Sequence, residues 1–298
     1  MIWPSDYSRA WTLAGTVERR GVGLHSGETA RVSLRPSARA GYWVGWLDDA
    51  ALPLQRLEPG QVSETRLCTA LQLGERRLAT VEHLLAALAG SGVSQAELWV
   101  EGSEIPLLDG SALPWVEAIA EAGLSEVGLR PVPVLDGEPI TLRQGASFVT
   151  AMSAEALQLG AAIDFPQAAI GRQLHSLALS PERFVQEIAP ARTFGFRDQV
   201  EALLAAGLIR GGALENALVC DGDRWLNPPL RFEDEPVRHK LLDLIGDLAL
   251  VGLPQAQVFA YRGSHGLHTA LAAALQQQIG AANSHSAPTP AAASVPRP

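Results

Sequence analysis

Lysine is almost missing from this sequence: there is one, Lys240, against 22 arginines. Where arginine supplies nearly every cation, a retained lysine marks either chance or a position that needs a compact ammonium rather than a planar fork. Cysteine is as scarce. Cys68 and Cys220 lie far apart and form no C-x-x-C pair, which excludes a disulfide framework and a cysteine-rich zinc knuckle and suits a reducing cytoplasm. No apolar run reaches about 18 residues, and the opening residues Met1 to Asp6 lack a basic stretch followed by an apolar one, so neither a membrane span nor a secretion signal is expected. Positive charge is also short. The 23 basic residues against 32 acidic ones give a net charge of -9, which disfavours nucleic acid and anionic membranes as partners. Three signatures are absent as well: the G-x-S-x-G elbow, the G-x-x-x-x-G-K-[ST] loop and the G-x-G-x-x-G fingerprint. Serine hydrolase, nucleotide hydrolase and dinucleotide-dependent chemistries lose weight accordingly.

What is present suits a folded enzyme-sized chain. With 298 residues, 47% of them hydrophobic and 18% charged, the chain can bury two domain cores. The alternation from Thr12 to Pro36 around a glycine-rich turn predicts a hairpin. Thr80 to Ala89 predicts a helix with Thr80 as N-cap and Gly90 as its stop, followed by a strand over Ala96 to Val100 and a helix from about Leu113 to Ala122. Three prolines in Arg130 to Pro139 predict a linker, placing one domain at 1–129 and a second at 140–280. The second begins with strand-like segments at Ile140 to Ala151 and Leu157 to Phe165, then a helix from about Pro236 to Leu250. A strand over Gln257 to Tyr261 and a helix over Leu267 to Ile279 complete it. Residues 281–298, rich in Ala, Ser and Pro, predict a disordered tail.

The two halves share a pattern. Gly92 to Trp99 aligns with Gly252 to Phe259 at an offset of 160, each after a Leu/Ala-rich helix, which implies two domains of similar topology. At that offset His83 corresponds to Asp243.

The chemistry concentrates on the helix after Pro236, where His239, Asp243 and Asp247 recur every four residues on one face among Val237, Leu241, Leu242, Leu244 and Ile245. Ionisable groups in so apolar a helix cost several kcal/mol unless paired or bound to a cation. A buried His239–Asp243 hydrogen bond would satisfy them, and so would a metal. The helix at Thr80 again carries a carboxylate and a histidine, Glu82 and His83, at its first turn. Facing helices would offer His83, His239 and Asp243 as three ligands and leave a fourth position for water, the pattern of catalytic zinc. Glu82 then reads as a general base, or as a first-turn residue favoured by the helix dipole. Asp247 could orient a histidine or be a solvated helix residue. His265 and His268 follow the last strand, and His265, between small residues, is the better candidate for a cationic acid. His25, His175 and His285 lack comparable company, and Cys68 reads as a buried inert thiol.

These runs resemble a known family. Thr80-Val-Glu-His-Leu, Glu104 to Ser111, Ala191-Arg-Thr-Phe-Gly-Phe, Val237 to Asp247 and the opening Gly21 to Gly27 are similar to the UDP-3-O-acyl-N-acetylglucosamine deacetylases of lipid A synthesis. The likeness extends from about Thr12 to Ile279. It implies an α+β fold in which helices lie between two outer sheets, with a small insert in each domain. It also implies a cytoplasmic zinc amidase with His83, His239 and Asp243 as ligands, Glu82 as base, His265 as acid supported by Asp247, and Thr193 as a donor to the oxyanion. By the same likeness Lys240 would meet an anionic nucleotide-sugar. Residues 193–219 would form an acyl-chain passage lined by Phe194, Val200, Ile209, Leu214, Ala217 and Val219, some of which could equally be ordinary core. A monomer is expected. Two alternatives stay open: a zinc amidohydrolase acting on another N-acetyl compound, and a non-catalytic binding protein with a buried His/Asp pair. The order Gly263-Ser-His265 and the nearby His268 depart from the family's pattern, which leaves the acid's position open.

Overall fold

The computed structural model describes residues 1–285 other than Pro131 and Asp136. The first half opens with β1 (Arg9–Leu13), β2 (Val17–Val22), β3 (Thr29–Arg35), β4 (Gly41–Trp46) and β5 (Gln55–Arg56). A small antiparallel sheet of β6 (Val62–Glu64), β7 (Ala70–Leu73) and β8 (Arg76–Leu78) precedes α1 (Glu82–Gly90). Then come β9 (Gln95–Glu101), α2 (Leu113–Ala122) and β10 (Leu124–Leu129), the last pairing with β1. The predicted hairpin is β2–β3.

The second half repeats the plan with β11 (Ile140–Gln144), β12 (Ser147–Ser153), β13 (Gln158–Asp164) and β14 (Arg172–Ala178). A short α3 (Pro181–Arg183) runs into a π turn over Phe184–Ile188. The insert holds β15 (Phe194–Phe196), α4 (Val200–Ala205), β16 (Leu218–Asp221) and β17 (Arg224–Trp225). The chain ends through α5 (Glu235–Leu248), β18 (Ala256–Tyr261) and α6 (His265–His285).

The sheets show the repeat directly. One has the order β2-β3-β9-β4-β5 and the other β11-β12-β18-β13-β14, each with a single parallel pair, β4 with β9 and β13 with β18, in an otherwise antiparallel set. The correspondence reaches individual side chains. Trp99 lies opposite Gly45, and its counterpart Phe259 lies opposite Gly160. A Cβ at Gly45 would stand 2.9 Å from the Trp99 ring, and one at Gly160 would stand 2.7 Å from the Phe259 ring. Each aromatic ring therefore fills the space that a side chain at the facing glycine would need.

Helices α2 and α6 pack on the strands of their own halves, and α1 and α5 pack on each other between the sheets. All nine residues of α1 are buried, as its Leu/Ala composition requires, and on α5 only Arg238 and Lys240 are not. Among the described residues no helix is long and apolar enough to cross a membrane.

The structure differs from the sequence reading at several points. Thr80 is not the N-cap of α1: Val81 holds that position, while Thr80 sits at φ 57° and its hydroxyl donates to Glu104 at 2.8 Å. The stretch Ile140 to Ala151 turns back at residues 145–146 to form two strands, and β14 was not anticipated. Helix α6 starts at His265 instead of Leu267 and continues to His285, so residues 281–285 of the expected tail are helical; 286–298 lie outside the described residues. Parts of the expected linker are packed. Leu135 is buried, Val134 bridges Gln255, and the Arg130 N–H donates to the Ser8 carbonyl at 3.0 Å.

Candidate metal centre

The first turn of α1 meets the middle of α5, and the residues related by the repeat stand side by side there. His83 Nε2 lies 3.7 Å and His239 Nε2 3.4 Å from Asp243 Oδ1. These three ligand atoms lie within 4.8 Å of one another and all three residues are buried. Their protonation states suit a cation. Burial drives the His83 imidazole down to about 3 and lowers His239 as well, so both rings are neutral. Burial opposes ionisation of Asp243, but the Lys240 ammonium and the charged His265 outweigh it and hold its carboxyl well below the usual range. His239 Nδ1–H donates to the Ala191 carbonyl at 3.0 Å, which fixes the tautomer and leaves Nε2 with its lone pair toward the cluster. Two neutral imidazoles and a carboxylate form a donor set that fits zinc.

An acid/base pair adjoins the cluster. Burial pushes the Glu82 carboxyl up to about 7, against the attraction of His265. Its Oε2 accepts the Thr69 N–H at 3.0 Å, and its Oε1 faces His265 Nε2 at 3.9 Å. His265 behaves oppositely. Burial disfavours its charge, yet Asp247, at 2.9 Å from Nδ1, raises it to about 9. Asp247 is fully enclosed and also accepts His268 Nδ1–H at 3.1 Å and the Thr69 hydroxyl at 2.5 Å. Asp247 is thus a buried acceptor and not a solvated helix residue, and His265 rather than His268 faces Glu82.

Lys240 donates to Asp243 Oδ2 at 2.8 Å, and its ammonium stands 5.5 Å from the centre of the Phe194 ring. Its side chain remains 27% exposed. Thr193 is half-buried, between Ala191, whose carbonyl touches His239, and Phe194, whose ring centre is 6.5 Å from that of His239. Beyond it opens a cavity of about 690 Å³ whose walls include Phe194, Val200, Ile209, Leu214, Ala217 and Val219.

Sequence reasoning missed several participants. His25 lies in the cavity wall, and its N–H donates to Glu104 at 2.9 Å. His175 pairs with Asp234 at 2.9 Å, so it too has a partner. The Gly-rich turn around His25 gave a signal. Glu104 entered only as the first residue of a family-like run, and Thr69 gave no signal, because their partners lie 13 to 178 residues away in sequence. Cys68 is buried, and burial together with Glu82 pushes its thiol up to about 12, the inert state expected.

Two copies of one sheet-and-helix unit thus meet at a buried His/His/Asp group beside the Glu82 carboxyl and the His265 ring, an α+β fold with the donor set of a metalloenzyme. The comparisons with known proteins name the family. Residues 10–277 match the family model for UDP-3-O-acyl N-acetylglycosamine deacetylase, and the chain belongs to that family. It is 50% identical over 270 residues to the UDP-3-O-acyl-N-acetylglucosamine deacetylase of Thermosynechococcus vestitus, covering 90% of this chain and 94% of that protein. The protein of the same name from Trichormus variabilis is 48% identical over 268 residues, 88% of this chain and 96% of its own. That of Synechocystis is 46% identical over 270 residues, again 88% and 96%.

Proposed function

We propose that this protein hydrolyses the acetamide of UDP-3-O-acyl-N-acetylglucosamine, releasing acetate and the free amine, the committed step of lipid A synthesis. The observation that carries this reading is the convergence of His83, His239 and Asp243 beside Glu82 and His265. The first three residues would hold zinc. When bound there, zinc polarises the acetamide carbonyl and makes a water more acidic.

The remaining work belongs to the chain. Glu82, with an affinity for protons near neutrality, accepts one from the attacking water. His265 stays cationic to about pH 9, so it stabilises the developing oxyanion and can protonate the leaving amine. Asp247 keeps that imidazolium charged and aimed. Thr193 supplies a hydroxyl donor to the same oxygen. Lys240, whose ammonium stands 5.5 Å from the centre of the cavity-lining Phe194 ring, meets the anionic nucleotide, and the 690 Å³ cavity takes the acyl chain. Burial of that chain contributes about 0.8 kcal/mol per CH₂. One chain contains the whole site, which supports action as a monomer, and two buried free thiols suit the cytoplasm.

The test is Glu82→Gln assayed with metal analysis. Turnover should fall by at least about 10²-fold with zinc retained at one per chain. Full activity would reject the base. Equal turnover of acylated and non-acylated UDP-sugars would favour a different N-acetyl substrate, and wild-type protein without stoichiometric metal would favour a binding protein.

A further inference from the structure

Glu235 is a fully buried carboxylate that no step above uses. It occupies the first turn of α5, one turn before His239 and on the same side of the helix. Four donors saturate it: the Arg192 N–H at 3.0 Å, Arg192 Nε at 2.8 Å, Arg192 Nη2 at 3.2 Å and the Arg231 N–H at 2.6 Å. Arg192 is therefore gripped through both its backbone and its side chain. On either side of it are Ala191, whose carbonyl takes the His239 Nδ1–H, and Thr193. Arg231 extends the grip, since its guanidinium donates to the Pro190 carbonyl at 2.8 Å and pairs with Asp109 at 2.8 Å.

An enclosed ion pair is a poor device for stability, because desolvation consumes much of its attraction and apolar residues of similar size often do as well. Its use lies in what it places. Residues 190–193 belong to no helix or strand; the Thr193 backbone is tied to Gly110 and Leu218, and the Ala191 carbonyl receives the His239 Nδ1–H. We infer that Glu235 and Arg192 are positioning residues that clamp this segment onto α5, aiming His239 Nε2 at the ion and setting Thr193 beside it. The inference rests on the proposed metal-dependent reaction and adds to it two residues that touch neither substrate nor metal.

The test compares wild type with Glu235→Gln, which keeps the shape but removes the charge, and with Arg192→Lys, which keeps the charge but loses the fork. Zinc release to a chromogenic chelator is followed alongside kcat and KM. The clamp predicts that both variants release zinc faster and lose kcat, each by about 10-fold or more, with KM changed less than threefold. It also predicts that Glu235→Gln combined with Arg192→Gln is no worse than either change alone. If Glu235→Gln does not fold, Arg192→Lys carries the same expectations. A lowered melting temperature with zinc release and kcat per folded molecule as in wild type would overturn the inference and leave the hydrolase reading intact. Wild type that holds no zinc would instead overturn the hydrolase reading.

Discussion

Replacing Gly246 by alanine puts a methyl group where α5 crosses the start of α1. A Cβ built there stands 2.1 Å from the Glu82 carbonyl oxygen, 2.7 Å from its carbonyl carbon and 2.9 Å from its Cα. All three are backbone atoms, so no side-chain rotation relieves the clash. Ordinary contact needs about 3.5 Å, so the first turn of α1 must retreat by more than about 1 Å. Overpacking of this kind costs about 1–3 kcal/mol, and the better helix propensity of alanine offsets at most about 1 kcal/mol. At about 2–4 °C per kcal/mol for a chain of this size, the melting temperature should fall by several degrees. The larger effect falls on the chemistry, because the backbone that moves carries Glu82 and His83. A displacement of about 1 Å at reacting groups costs on the order of 10²-fold in rate. Scanning calorimetry and a deacetylase assay on the same preparation read both quantities. A raised melting temperature with undiminished kcat would show that the helices are not in closest approach here, and the proposed origin of the site's geometry would fail.

Two further outcomes follow. His265 has a folded pKa of about 9, above its ordinary 6.5. Its charged form therefore stabilises the fold fully below about 6.5, and that contribution is lost as pH rises through about 9; kcat/KM should decline over the same upper range. In Asp247→Asn both declines should move to lower pH, and an unchanged upper limb in a pH–rate profile would remove His265 from the mechanism. Val219→Trp should fill part of the cavity wall and raise KM for long-chain substrates at least about 10-fold while sparing a substrate truncated at the acyl group. Equal effects on the two substrates would place the acyl chain elsewhere.

The sequence made α5 legible because ionisable residues recur every fourth position in a helix too apolar to be exposed, and such residues need partners. The repeat was visible for a similar reason. Its helix, glycine turn and strand keep one pattern in both halves, and the two sheets have the same strand order and directions. Relations across the chain were not legible. Thr80 looked like an N-cap because a hydroxyl before an apolar run usually is one, but its hydroxyl is committed to Glu104, and the backbone takes a positive φ instead. Edge strand β14 has only one buried side chain, Leu177, too little contrast to announce it. Helix α6 runs past Ile279 because its alanines and glutamines favour helix without demanding burial. The clamp between Glu235 and Arg192 spans 43 residues and follows from no local pattern at all.

The claim on which the rest depends is that α1 and α5 together hold one divalent ion. Anomalous diffraction at the zinc edge, from crystals of protein purified without chelator, tests it most directly. One full-occupancy peak bonded to His83 Nε2, His239 Nε2 and an Asp243 carboxylate oxygen, and lost in His239→Ala, is the predicted result. A peak held by Asp247, His265 and His268 instead, or none at these three side chains, would contradict the account.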